Sequence, residues 1–303
     1  MQRPADNYSH PRTPRPDRLL EIAPRVRLHY VDEGQGPTVV MVHGNPTWSF
    51  MYRNLIAELR STHRCIAPDH IGCGLSDKPD DSRYAYWLEN RVADLETLID
   101  RLAPDGPITW VVHDWGGMIG LTAALRRFER IDRVVLLNTS GFFKPRSKRL
   151  PRSIRLASTG NMLARFLVQG CNAFARGAAY WGSIRGLPHD VRRGYLAPYD
   201  SWSNRRATLR FVQDIPIDPS HPSYELTAWT DSQVARLNEK PVLICWGRRD
   251  FVFDDHFLNE WRRRLPKAEL HVFENAGHYV IEDAREELIP LAARFIREGV
   301  SPS

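Results

Sequence analysis

The stretch Ile108–Gly120, ITWVVHDWGGMIG, reads as a buried strand, a sharp turn and the start of a helix. Gly116 and Gly117 follow the turn, where close packing between a strand and a helix excludes larger residues. Its central residue is Asp114, at the place where a G-x-S-x-G nucleophile elbow carries serine. Val112 stands where that pattern has its first glycine. An aspartate ahead of a helix is also a common N-cap, so the turn by itself leaves structural and chemical roles open.

Similar strands recur along the chain. Residues 38–44 (TVVMVHG), 63–69 (HRCIAPD), 133–139 (RVVLLNT), 241–247 (PVLICWG) and 268–274 (AELHVFE) are short, nearly continuous apolar runs, as in a parallel sheet covered on both faces. Residues 27–34 (RLHYVDEG) alternate and suit an antiparallel edge strand. Between the strands lie helical patterns. The clearest is Tyr86–Leu102, where Leu88, Val92, Leu95, Leu98, Ile99 and Leu102 share a face. Others begin near Ser49, Gly116, Phe253 and Ile281. Alternating strands and helices predict an α/β fold with a mostly parallel, doubly wound sheet.

The alternation stops between about Phe142 and Tyr224, where aromatic and arginine-rich helical sequence takes over. This gives a helical cap inserted after the sixth strand, over the carboxyl edge where open α/β sheets bind ligands. The expected organisation is a flexible N-terminal arm over residues 1–25, a first core segment over 26–141, a cap over 142–226 and a second core segment over 227–303.

The 303 residues are 42% hydrophobic and 26% charged, with a net charge of +6. They can bury a large core without disulfides. The four cysteines, Cys65, Cys73, Cys171 and Cys245, form no CxxC or Cys/His cluster. They read as isolated thiols, and no metal or cofactor is expected. The first twenty residues hold Pro and Arg but no apolar leader segment, and no run is long enough to span a membrane. A cytoplasmic location is expected. Between Phe142 and Arg210 fourteen Lys and Arg face only Asp190 and Asp200, so this segment carries +12 and the remainder −6. The excess fits either a solvated basic face or contact with an anionic surface. No nucleic-acid motif accompanies it.

Three polar groups converge by chain order. His43-Gly44-Asn45-Pro46 follows the third strand, where an oxyanion hole is built. Asp250 follows the seventh strand and His278 the eighth. Asp114, Asp250, His278 is the order nucleophile, acid, histidine. Asp254 and Asp255 compete as acids but fall toward the next helix, and Ser49, Ser76 and Ser140 lack an elbow. An aspartate at this turn changes the chemistry. A carboxylate that attacks an sp³ carbon leaves an ester on the protein, which His278, as base, opens with a water while Asp250 orients it. A serine would leave an inert ether. The site therefore suits carbon bearing a leaving group, or a strained ring. The backbone N–H groups of Asn45 and Trp115 are the expected oxyanion donors.

These residues resemble the α/β-hydrolase fold over about Val26–Ile296, and HDWGG resembles haloalkane dehalogenases and epoxide hydrolases. Asn45 with Trp115 resembles the side-chain pair that grips a dehalogenase's leaving halide. Tyr180, Tyr195, Tyr199 and Tyr224 keep open the pair of cap tyrosines of an epoxide hydrolase. Where many dehalogenases place a glutamate after the sixth strand, this chain has Asn138, so the acid falls to Asp250. That combination, with YLAPYDSW, FVQDIPIDPSHPSYE and AGHYVIEDA, is similar to the β-lactone decarboxylases of bacterial long-chain olefin biosynthesis. The resemblance implies a hydrophobic cis-3,4-dialkyl β-lactone as substrate, cis-alkene and carbon dioxide as products, and assembly with a β-lactone synthetase and related proteins. Haloalkane hydrolysis is the main alternative, and a catalytically silent ligand-binding protein is another. Arg249, beside Asp250, is a candidate to steer a carboxylate.

Overall fold

The computed structural model describes residues 18–149, 155, 157, 158 and 161–298. Eight strands form one sheet in the order β1-β2-β4-β3-β5-β6-β7-β8. They are β1 (Leu19–Ala23), β2 (Val26–Glu33), β3 (Thr38–Val42), β4 (Arg64–Pro68), β5 (Ile108–Asp114), β6 (Ile131–Thr139), β7 (Val242–Gly247) and β8 (Glu269–Phe273). β3 to β8 run parallel, and β1 and β2 are antiparallel to their neighbours.

The period of two along these strands builds two cores. Val39, Met41, Val111 and Val135 point to one face, where they meet α1 (Arg53–Leu59) and, late in the chain, α10 (Arg285–Arg297). Val40, Val42, Val112 and Val134 point to the other, against α2 (Leu88–Leu102), α3 (Trp115–Arg126) and α9 (Asp255–Arg264). With both faces covered, the central strands need apolar residues throughout, which explains the unbroken runs in the sequence.

The inserted region leaves β6 and returns at α8 (Tyr224–Gln233). It holds α4 (Met162–Arg165) followed by a π-helical turn at Phe166–Gly170, then α5 (Ala173–Trp181), α6 (His189–Leu196) and α7 (Arg206–Gln213). Polar bonds seat it on the core. Trp48 Nε1 donates to Gly194 O at 3.1 Å, Tyr199 Oη to Thr47 O at 3.1 Å, and Arg206 and Arg210 both pair with Asp81. The fully buried pair Arg91–Asp214 ties α2 to the end of α7 at 3.0 Å. Its guanidinium lies 3.8 Å from the ring centroid of Phe211, which packs against Trp115.

Two expectations change. Leu19–Ala23, expected within a loose arm, is the edge strand, paired with β2 through Leu19–His29 and Leu20–Leu28. Its five residues are only half-buried and follow a proline-rich run, so the apolar signal is weak. β2 is therefore an interior strand rather than an edge. Residues 1–17 of the expected arm lie outside the described residues. The break expected after residue 226 falls inside α8, where Thr230 Oγ1 lies 2.7 Å from Thr122 Oγ1 of α3.

The strand–turn–helix at β5–α3 depends on backbone contact. A Cβ on Gly116 would lie 2.0 Å from Val42 O, and one on Gly44 would lie 2.1 Å from Asp114 Oδ1. Neither neighbour has room to retreat. Gly116→Ala is expected to destabilise the protein by about 3 kcal/mol or more, read from a denaturant melt. An unchanged midpoint would show that the turn tolerates a side chain.

Candidate active site

Asp114 ends β5 and begins the turn into α3 with φ 53° and ψ −128°. A non-glycine residue in this region carries about 1–3 kcal/mol of strain. Its side chain does not cap the helix. Instead, Asp114 Oδ1 accepts the backbone N–H of Asn45 at 2.6 Å, and the N–H of Trp115 also bonds the carboxylate. Both expected oxyanion donors therefore bond the carboxylate, Asn45 at Oδ1. The other oxygen, Oδ2, lies 3.6 Å from His278 Nε2.

His278 Nδ1 sits 2.8 Å from Asp250 Oδ2, and both residues are buried. The structure brings Asp114, His278 and Asp250 together in one line, from three separate strand ends. Of the rival acids, Asp254 pairs with Lys148 at 2.7 Å and caps α9, while Asp255 begins that helix. Arg249 is exposed and does not line the cavity beside Asp114.

Three further residues hold this line, and sequence reasoning did not find their parts. Asn138, at φ 31° in β6, donates from Nδ2 to Asp250 Oδ2 and to Gly247 O, both at 3.0 Å, and accepts the Gly247 N–H at 2.7 Å. It fixes the acid from the position where a glutamate was looked for. His113 Nε2 lies 2.8 Å from His278 O, which pins the histidine loop to β5. Asp283 accepts from Gly277 N, Ser183 Oγ, Ile184 N and Arg185 N, joining that loop to the cap. Asn138 was visible as a departure from pattern. The other two pairings need three-dimensional contact.

Electrostatics distinguish the groups. Burial raises Asp114 above the usual carboxylate range, although His278 and the two N–H groups pull it back down. For His278, burial is the largest influence and opposes charge. The Asp250 carboxylate, through field and hydrogen bond, and Asp114 outweigh it, so the imidazole titrates above its ordinary value. His113 is held neutral by burial and by the neighbouring His278.

Asp114, Trp115 and His278 open onto a cavity of about 390 Å³. Its walls are mostly apolar, with Met118, Phe142, Val168, Phe174 and Ile215 among them. Such a space suits a ligand with alkyl arms and one reactive polar centre. Asn45 also lines it, but its Nδ2 donates to Thr208 O of α7 at 3.0 Å, and Oδ1 is buried without a partner among the described residues. None of the four cap tyrosines lines the cavity. Tyr195 and Tyr199 spend their hydroxyls on Glu282 and Thr47 O, Tyr224 packs at a tilt against Phe143, and Tyr180 is exposed. The pair of ring-opening hydroxyls that an epoxide hydrolase would need is not formed.

The His278–Asp250 contact is testable without substrate. In an NMR titration His278 is expected to show a pKa above about 6.5, and Asp250→Asn is expected to lower it. A value at or below the ordinary one in the wild-type chain would contradict this electrostatic picture.

Comparison with known proteins agrees with the geometry. The family model for the alpha/beta hydrolase fold matches residues 37–284. A cis-3-alkyl-4-alkyloxetan-2-one decarboxylase of Shewanella oneidensis is 52% identical over 90% of this chain and 86% of its own length. Another of the same name, from Xanthomonas campestris, is 44% identical over 92% of this chain and 95% of its own. The crystal structure of a haloalkane dehalogenase from Agrobacterium tumefaciens superimposes with a TM-score of 0.79 at 25% identity, covering 91% of this chain and 94% of that one. The chain belongs to the alpha/beta hydrolase fold family and, within it, to the cis-3-alkyl-4-alkyloxetan-2-one decarboxylases, with haloalkane dehalogenases as more distant kin.

Proposed function

We propose that this protein converts cis-3,4-dialkyl β-lactones into cis-alkenes and carbon dioxide, with Asp114 as nucleophile. The observation that carries the proposal is a carboxylate, in place of a serine, held at the strained turn under an apolar cavity. The two decarboxylase relatives support the choice of substrate.

The chemistry follows from which oxygen is free. Asn45 holds Oδ1, so Oδ2, on the His278 side, attacks the ring carbon that bears the lactone oxygen. The new C–O bond forms as the ring C–O bond breaks. The freed carboxylate leaves with inversion, and Trp115 and Asn45 line the place it enters. That carboxylate then departs as carbon dioxide. Its C–C electron pair becomes the second bond of the alkene, and the bond to Asp114 breaks to restore the carboxylate. Inversion followed by anti elimination returns the cis geometry of the lactone. Ring strain drives the first step and release of carbon dioxide the second. The backbone N–H groups stabilise the ester carbonyl throughout.

No water enters this balance. His278 in its charged form then stabilises the departing Asp114 carboxylate, and Asp250, positioned by Asn138, maintains that charge. If haloalkanes were the substrate, the same histidine would have to be neutral and act as base on a water. The engaged amide of Asn45 leaves the halide grip half built, so the lactone reading is preferred. We also propose that the protein works beside the synthetase that makes the lactone, because a water-insoluble, strained intermediate is best passed on directly, and that the basic cap meets an anionic surface.

Incubation with a cis-3,4-dialkyl β-lactone is expected to release cis-alkene, followed by gas chromatography. Asp114→Ala should reduce the rate by at least about 10³-fold. Activity should fall as pH rises through the raised pKa of His278, and Asp250→Asn should move that loss to lower pH. Halide release from bromoalkanes with no alkene from the lactone would replace this reading with dehalogenation. Loss of alkene formation on the acid side alone would return His278 to the role of base.

A further inference from the structure

The cap carries large apolar side chains that the fold leaves in water. Met162 is 89% exposed, Trp181 73%, and Leu163 and Phe166 57% each. In α4 the small residue Ala164 turns inward to line the cavity, while Met162 and Leu163, with Phe166 of the π-helical turn that follows, are exposed. Trp181 and Phe251 line the cavity and are also exposed, so the cavity mouth opens among them. Trp181 thus belongs both to the exposed apolar side chains of the cap and to the wall of the cavity that holds Asp114. Patches of this kind mark an interaction site.

Charge identifies what the patch meets. Arg165 and Arg176, carried by the same helices as the patch, are exposed, and neither forms an ion pair among the described residues. Arg165 lies 5.8 Å from the ring centroid of Trp202, and Arg192 lies 4.3 Å from that of Tyr180, so guanidinium and aromatic groups are interleaved. Aromatic and apolar residues beside unpaired arginines suit the boundary between anionic headgroups and acyl chains. Among the described residues no helix is long and apolar enough to cross a membrane, so the contact is superficial. A protein seated on this face would stopper the cavity mouth. A lipid surface leaves it open to the medium in which a dialkyl substrate dissolves.

We propose that the cap face formed by Met162, Leu163, Phe166 and Trp181, with its arginine rim, docks on anionic bilayers and lets the substrate pass from lipid into the cavity. The substrate passage rests on the β-lactone reading, but docking itself does not. Arginine heads meet lipid phosphate, the apolar side chains enter the interface, and the charged part of the attraction weakens with salt.

The test is co-sedimentation of the full chain with vesicles of phosphatidylglycerol and phosphatidylcholine, against phosphatidylcholine alone. Wild-type protein is expected to sediment with the anionic vesicles and to be released by salt. Leu163→Ser/Phe166→Ser and Arg165→Glu/Arg176→Glu should each weaken binding by at least about tenfold. Both should keep the wild-type rate on a short-chain, water-soluble β-lactone, which also shows that they fold. Wild-type protein that stays in the supernatant, or variants that bind as well as the wild type, would overturn the proposal. So would self-association or protein binding that these variants abolish while vesicle binding is absent. Vesicle binding without lactone turnover would sustain docking and remove the substrate reading instead.

Discussion

The site rests on the close approach of two backbone segments at the ends of β3 and β5. Gly44 and Gly116 let the β3 loop lie against the turn into α3, and only then does the Asn45 N–H reach Asp114 at 2.6 Å. That approach does two things at once. It holds a non-glycine residue at φ 53°, and it engages Oδ1 with the Asn45 N–H while Oδ2 stays beside His278. The strain is offset by those hydrogen bonds and by the packing of α3, whose residues 116–125 are all buried. A charged group kept in an apolar pocket, with its hydration replaced by fixed donors, suits the nucleophilic role proposed for Asp114.

Around it the fold supplies rigidity from distant parts of the chain. Asp250 is clamped by Asn138, the His278 loop is held by His113 and Asp283, and Trp115 is backed by Phe211 over the buried Arg91–Asp214 pair. None of these supports needs to touch substrate. They restrict Asp114, His278 and Asp250 to one arrangement, which is what a reaction with two successive bond-breaking steps on one carbon framework requires. The cap contributes the opposite property. It leaves bulky apolar residues exposed beside the mouth, where a purely soluble substrate would give them no use.

Much of this was legible in the chain because strand ends and turns are local. The unbroken apolar runs of β3 to β7 announce a doubly covered sheet, and residues placed just after strands locate Asp114, Asp250, His278 and Asn45 without coordinates. What was not legible depends on contact between distant segments. β1 is too short and too exposed to signal itself, and its pairing with β2 alone makes it a strand. The parts of His113 and Asp283 follow from hydrogen bonds across 165 and about one hundred residues. Arg249 looked significant only by adjacency to Asp250, and a one-residue step at a loop turned its side chain to solvent. The engagement of the Asn45 amide by Thr208 could not be foreseen either, since it joins the β3 loop to a cap helix.

The central claim is that Asp114 is loaded through carbon and unloaded by loss of carbon dioxide, with no water attacking it. Turnover of a β-lactone in oxygen-18 water, followed by mass spectrometry of the Asp114 peptide, tests this directly. Abundant alkene is expected, with an Asp114 carboxylate that keeps its original oxygens after many turnovers. Oxygen-18 in Asp114, accumulating with turnover, would show that water opens the ester and would contradict the account.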